Sequence, residues 1–353
     1  MLQKCTAEHK AFMGKFVVAS REYLDTFINK REGETKLGER VLIIETAAWE
    51  EELVNCKARF VVFGIPEDIG VRANHGVGGT HTFWPAALKA LLNVQNAKLL
   101  DGEEVLVFGA FDFSDKIRQS ERMETAGMRE LVAEVDEAVH PIIAKIIGAG
   151  KVPIVIGGGH NNSFPLLKGA SMVSDKPVNC INLDAHSDFR PMEGRHSGNG
   201  FRYAHRGGFL DKYAIVGLHE NYNAREIIDE LVDDPDLHFS YYEDIFLRHK
   251  LTFEQAVKNA IGKTSGRPVG LELDLDCIER VLSSAKTPCG ISSLQARQYI
   301  TMCAEAVHPI YLHLAEGAVE LRDGRKDAST AKLAAYLITD FIKAYKQKKG
   351  FFS

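Results

Sequence analysis

The chain has 353 residues, 45% of them hydrophobic and 26% charged, with a formal net charge of −5. That is an ordinary globular composition with ample material for a large core, in one domain or two. A mildly acidic balance without a basic block argues against nucleic acid as the main partner, and no apolar run approaches the roughly 18 residues a membrane helix needs.

The opening stretch "MLQKCTAEHKAFMGKF" lacks the continuous apolar region of a signal peptide, so the expected location is the cytoplasm. Residues 1–58 carry helix-like periodicity and many charges, "NKREGETKLGER" among them. They read as an N-terminal helical extension of a single domain covering 1–353. Cys5, Cys56, Cys180, Cys277, Cys289 and Cys303 are scattered without a C-x-x-C pair, the pattern of reduced thiols rather than a disulfide framework.

From Ala58 onward, short apolar runs alternate with helical patterns. Strands are predicted at "RFVVFGI" (59–65), "EVLVFGAF" (104–111), "VPIVIGG" (152–158), "VNCINLD" (178–184), "YAIVGL" (213–218), "PVGLELDLD" (268–276) and "PIYLHLAE" (309–316). Amphipathic helices are predicted over 83–93, 128–150, 223–232, 293–307 and 329–347; the basic "KAYKQKK" (343–349) reads as the solvated end of the last one. Continuous apolar strands alternating with helices indicate an α/β fold with a parallel sheet covered on both faces. In such sheets ligands bind outside the carboxyl ends of the strands.

Polar residues collect at those ends. "VPIVIGGGH" ends at His160, "VNCINLDAHSD" delivers Asp184, His186 and Asp188, "VGLELDLD" delivers Asp274 and Asp276, and "YLHLAE" ends at Glu316. In extended backbone, residues i, i+2 and i+4 share a face, so each acidic run is expected to point into one cavity. Clustered carboxylates repel and cannot all stay ionised alone. Divalent cations resolve the conflict, and an oxygen-rich set with imidazoles suits Mn²⁺ better than structural zinc. Six ligands are many for one ion and natural for two. Two such ions roughly 3.5–4 Å apart can generate a hydroxide nucleophile at neutral pH.

The motifs "GGGHNNSFP", "NLDAHSD" and "ELDLD", in that order, resemble the ureohydrolase family of arginases, agmatinases and formimidoylglutamases, and most closely its formimidoylglutamases. The likeness runs from about Phe60 to about Glu320, and "IPEDIGVRANHGVGGTHTFWPAALKALL" (65–92) is similar to the family's early glycine-rich loop. It implies a three-layer α/β/α fold with a mainly parallel sheet of about eight strands, two Mn²⁺ per subunit, and a trimeric or hexameric homo-oligomer. It also implies that His160, Asp184, Asp188 and Asp274 hold one ion. His186 and Asp276 would hold the other, with Asp184 and Asp274 bridging. Glu316 corresponds to the glutamate that binds the guanidinium or formimidoyl nitrogens, although an acid there can equally cap a helix. The chain departs from the family's D-x-D-x-x-D-P continuation, with Glu279 at the last acidic position and no proline.

The segment "RPMEGRHSGNGF" (190–201) stands where relatives read substrate. Ser197 and Asn199 are substrate-contact candidates, and His196 is a candidate proton shuttle because His titrates near neutrality. Arg190 follows "DAHSD" almost directly, as in formimidoylglutamases, and can pair with a substrate carboxylate or with a nearby acid. Glu220 and Asn223 are weaker candidates, Asn223 also being a fit helix cap. The expected function is hydrolysis of a small-molecule amidine, N-formimidoyl-L-glutamate, to L-glutamate and formamide. The alternative is an arginase or other guanidino-acid hydrolase releasing urea. A chain keeping the fold only for binding would have no evident need for a full ligand set and Glu316 together.

Overall fold

The computed structural model describes residues 16–348. Among the described residues nine strands form one sheet: β1 (Phe16–Val18), β2 (Phe60–Gly64), β3 (Val105–Phe111), β4 (Val152–Ile156), β5 (Val178–Leu183), β6 (Leu210–Leu218), β7 (Leu237–Tyr241), β8 (Val269–Asp274) and β9 (Pro309–Ala315). Their order is β1-β3-β2-β4-β9-β8-β5-β6-β7, and every pairing is parallel except that of β1 with β3.

Both faces of the inner strands are buried, which is why their sequences are apolar without interruption. Alternate residues still go to different layers. Phe60 and Val62, Ile154 and Ile156, and Leu271 and Leu273 pack with helices α1 (Phe83–Leu92), α6 (Phe253–Lys263), α7 (Ser293–Ala306) and α8 (Ser329–Gln347). Val61 and Phe63, Val155, Cys180 and Tyr311 face the other layer, built from α2 (Thr125–Gly148), α3 (Ser163–Ser174), α4 (Gly200–Arg206) and α5 (Arg225–Asp233). Among the described residues no helix is long and apolar enough to cross a membrane.

Two edge strands escape the sequence reading. β7, "LHFSY", is half-buried beyond its first residue, so it carries no continuous apolar run. β1 lies in the segment expected to be helical. Phe16 is inserted among Phe63, Phe108 and Phe111 at ring separations of 6.1, 4.7 and 5.0 Å, and that packing turns the entry of the chain into an antiparallel edge. Short helices do follow, at Arg21–Asp25 and Trp49–Asn55. Cys5 lies outside the described residues; the other five cysteines are free thiols.

Candidate metal centre

The four adjacent central strands β4, β9, β8 and β5 bring His160, Glu316, Asp274 and Asp184 to one edge. After β4, Gly157 and Gly158 adopt φ of +86° and +80° and turn the chain into the short 3₁₀ turn His160–Asn162. A Cβ at Gly158 would fall 2.3 Å from Asn162 Nδ2 and 2.9 Å from Ile65 O, so glycine is required on both conformational and steric grounds.

The acids converge by turns rather than by strand alternation, which corrects the expectation from extended backbone. β5 stops at Leu183, and Asp184, His186 and Asp188 occupy the loop beyond it. Asp184 Oδ1 accepts the His186 N–H at 2.7 Å, and Asp188 takes a left-handed φ of +46°. β8 stops at Asp274, whose Oδ1 accepts the Asp276 N–H at 2.8 Å within a 3₁₀ turn. Side chains of Asn and Asp favour such local bonds. Here they aim the next acid of the motif.

The result is one cluster with a shared member. His160 Nδ1 lies 2.8 Å from Asp188 Oδ2, 3.1 Å from Asp274 Oδ2 and 3.3 Å from Asp184 Oδ2. His186 Nδ1 lies 3.3 Å from Asp276 Oδ2 and 3.6 Å from Asp184 Oδ1. Asp184 thus serves both groups through different oxygens, and each group could hold an ion. Donor atoms about 2.1 Å from a six-coordinate cation stand roughly 3 Å apart. The observed separations have that size.

Electrostatics makes the same demand. Burial raises Asp188 to about 6, with the Asp184 charge adding to it, and pushes Asp276 well up, assisted by Asp274. Burial and the charges of Asp274 and Asp276 likewise push Glu316 well above the usual carboxylate range. Burial opposes charge on both imidazoles, but the surrounding carboxylates outweigh it and raise His160 and His186. Both His160 ring nitrogens and Asp276 Oδ1 are buried without a hydrogen-bond partner. Buried polar atoms are normally satisfied, and these face acids instead of donors. The residues fit a pair of divalent cations.

A cavity of about 400 Å³ opens over the cluster, lined in part by His186, Asp188, Asp274, Asp276, Glu316, Arg190 and Ser197. Glu316 has φ +59°, stands among the charges of Asp274, Asp276 and Asp188, and its Oε1 accepts the His160 N–H at 3.0 Å, the first N–H of the 3₁₀ turn. Arg190 is half-exposed, its Nη1 donating to Asn74 Oδ1 at 3.2 Å while Glu193 stands 3.6 Å away. Ser197 Oγ accepts from Asn74 Nδ2 at 3.3 Å.

The remaining candidates are used inside the loop. Asn199 is fully buried: Oδ1 accepts from Arg195 Nη1 and the His196 N–H, and Nδ2 donates to the Pro191 and Gly194 carbonyls. Its polar atoms are thereby occupied away from the cavity. His196 is also fully buried, with Nδ1 accepting the Gly198 N–H at 3.1 Å and Nε2 3.2 Å from Glu193. Burial, then Arg129 and Arg190, lower it to about 4. The ring is thus bonded within the loop rather than placed on the lining of the cavity. Asn223 caps no helix: it accepts from the Ser187 N–H and donates to the Ala185 and His219 carbonyls, stitching the acidic loop. Glu220 pairs with Arg248.

The cavity is also lined by Asn74, His75, Tyr222 and Ser284, which were not among the sequence candidates. Tyr222 stacks on His186 at 5.3 Å. Glu67, also outside those candidates, is fully buried and accepts from the Ile69, Gly70 and Gly159 N–H groups and from Asn162 Nδ2. The "PED" at 66–68 lies within the glycine-rich loop 65–92, but only the fold brings it against "GGGH".

The fold and this edge define a class: an α/β/α protein whose central parallel strands gather acids and imidazoles around a candidate metal centre. The sequence model of the arginase family matches residues 58–343. The chain belongs to the arginase family. It is 27% identical over 249 residues to a formimidoylglutamase of Streptococcus pyogenes serotype M3, covering 67% of this chain and 68% of that protein. Among solved structures, formimidoylglutamase from Bacillus subtilis matches with a TM-score of 0.70 at 14% identity, over 91% of this chain and 95% of that one. A formiminoglutamase from Trypanosoma cruzi crystallised with Mn²⁺ matches with a TM-score of 0.69 at 19% identity, over 89% and 99%. At such identities these structures establish the shared fold.

Proposed function

We propose that this chain is a two-manganese hydrolase of linear C–N bonds whose substrate is N-formimidoyl-L-glutamate, with L-glutamate and formamide as products. The observation that carries the reading is the double cluster sharing Asp184, with Glu316 at its edge. Formimidoylglutamase relatives in sequence and in structure support the substrate class. His160, Asp184, Asp188 and Asp274 would hold one ion, and His186 and Asp276 the other, with Asp184 and Asp274 shared between them. An oxygen-rich donor set favours Mn²⁺, the metal in the Trypanosoma cruzi crystal.

Such an ion pair supplies Lewis acidity and water made acidic enough to attack at neutral pH. The chain's own residues do the rest. Glu316 keeps Oε2 for an amidine N–H while Oε1 is occupied by the His160 amide, which turns the C–N carbon toward the acidic cluster. Arg190 pairs with a carboxylate of the substrate at the cavity mouth, with Asn74 steadying its guanidinium and Ser197 beside it. Water adds its oxygen to the formimidoyl carbon, the bond from that carbon to the glutamate nitrogen breaks, and the proton lost by the water goes to that nitrogen, which leaves as the amine. Asn199 and His196 serve by holding the 190–199 loop in shape. The protein is further proposed to act in the cytoplasm, as one domain and as a homo-oligomer.

The test is a side-by-side assay of the Mn²⁺-loaded chain on N-formimidoyl-L-glutamate, L-arginine, agmatine and other guanidino acids. Formamide release from the first alone is the expected result. Urea from a guanidino compound would retain the chemistry and replace the substrate, and no turnover of any of them with two ions bound would reject the activity.

A further inference from the structure

Glu272 lies on β8 between two leucines, fully buried in the middle of the sheet. An acid in that position is costly unless it is bonded. One of its oxygens accepts from Tyr311 Oη at 2.8 Å, and the other lies 2.7 Å from His313 Nδ1, both partners being on β9 and fully buried. The second oxygen is also 3.4 Å from Nε2 of His160. His313 continues to the carbonyl of Gly157 at 3.3 Å, where the turn carrying His160 begins. His160 therefore has acids on both sides: Asp184, Asp188 and Asp274 at Nδ1, and Glu272 at Nε2.

We propose that Glu272 is a positioning residue for the metal centre, keeping the His160 proton on Nε2 so that the Nδ1 lone pair faces the cation shared with Asp184, Asp188 and Asp274. Tyr311 and His313 hold the carboxylate still. An imidazole ligand needs its other nitrogen bonded or charge-matched, and losing that partner typically weakens metal binding by 10–100-fold. The proposal rests on the two-metal reading. It goes beyond it in assigning work to a residue that lies behind the sheet edge, outside the substrate cavity.

The same three side chains, His160, Glu272 and His313, are close enough to hold an ion of their own. The 2.7 Å approach of Glu272 to His313 and the closed surroundings favour direct bonding instead. Metal stoichiometry separates the two readings. Wild-type chain and Glu272→Gln would be loaded with Mn²⁺, dialysed against graded chelator and analysed for metal content, with apo-protein melting followed in parallel. The expected result is two ions in the wild type and, in Glu272→Gln, one of them released at 10–100-fold lower chelator with apo melting unchanged. Tyr311→Phe, which removes one bond to the carboxylate but keeps its charge, should shift the same ion by a smaller factor and serves if Glu272→Gln does not fold. Wild-type affinity for both ions in Glu272→Gln would overturn the proposal, as would three ions in the wild type falling to two. A wild-type chain that binds no Mn²⁺ would overturn the metal-centre reading, and the positioning role with it.

Discussion

Asp184 touches both halves of the cluster, with Oδ2 toward His160 and Oδ1 toward His186. Asn182 Nδ2 donates to the same Oδ2 at 2.9 Å, fixing the carboxylate plane. Asp184→Asn replaces one of two acceptor oxygens by a donor that faces imidazole nitrogens. We expect it to lose Mn²⁺ from both positions and to lower kcat by at least about 100-fold, near 2.7 kcal/mol of transition-state stabilisation; metal analysis beside the assay checks both. Arg190 is different in kind. Its half-exposed guanidinium makes one neutral hydrogen bond and a loose ion pair, which leaves it available to a carboxylate. Arg190→Ala should raise KM by roughly 10- to 100-fold with kcat little changed, since a charged hydrogen bond is worth about 1.5–3 kcal/mol and contributes equally before and during reaction. A fall in kcat with unchanged KM would remove Arg190 from substrate binding.

The 190–199 loop owes its form to buried polar groups. Arg195 donates Nε to Asp136 Oδ2 at 2.8 Å and Nη1 to Asn199 Oδ1 at 2.7 Å, and both charged partners are buried. Removing one side of a buried pair strands the other, so Arg195→Met is expected to cost about 3–5 kcal/mol in a denaturant titration. His196 gives the loop a pH dependence. Its folded pKa of about 4 lies below the ordinary 6.5, so the unfolded chain takes up the proton first as pH falls. The stabilisation is complete above pH 6.5 and disappears as pH drops toward 4, by about 1–2 kcal/mol once solvent screening is allowed for. His196→Gln should flatten that limb relative to wild type without altering the pH dependence of kcat. A changed kcat profile would restore the proton-shuttle role. The elements around the loop also show where sequence reasoning succeeds and stops. The central strands were legible because burial on both faces leaves an unbroken apolar run, as in Phe60–Gly64 and Val152–Ile156. β7 was not, because an edge strand needs apolar residues on fewer positions.

At the scale of the whole molecule, a centre that crowds Asp184, Asp188, Asp274, Asp276 and Glu316 at one sheet edge is under repulsion that bound cations relieve. Mn²⁺ at 100 times its Kd adds about 2.7 kcal/mol per site. For a chain of this size, where each kcal/mol moves Tm by roughly 1–2 °C, two sites should raise Tm by roughly 5–10 °C. Scanning calorimetry with Mn²⁺ and with chelator reads the difference, and an equal Tm in both would count against a metal centre. The sequence alone determined the parallel core, the six candidate ligands and Glu316, because continuous burial and clustered acids each leave a local pattern. Tertiary structure decided the rest. It replaced strand alternation by Asx turns at Asp184 and Asp274, set the shuttle candidate His196 and the contact candidate Asn199 into bonds within the loop, and brought Glu67 to the turn that carries His160 and Glu272 to its ring. Those outcomes depend on which segments meet across the sheet, as when Glu272 on β8 finds Tyr311 and His313 on β9. Neighbours that close only through the fold leave no spacing in the sequence to read.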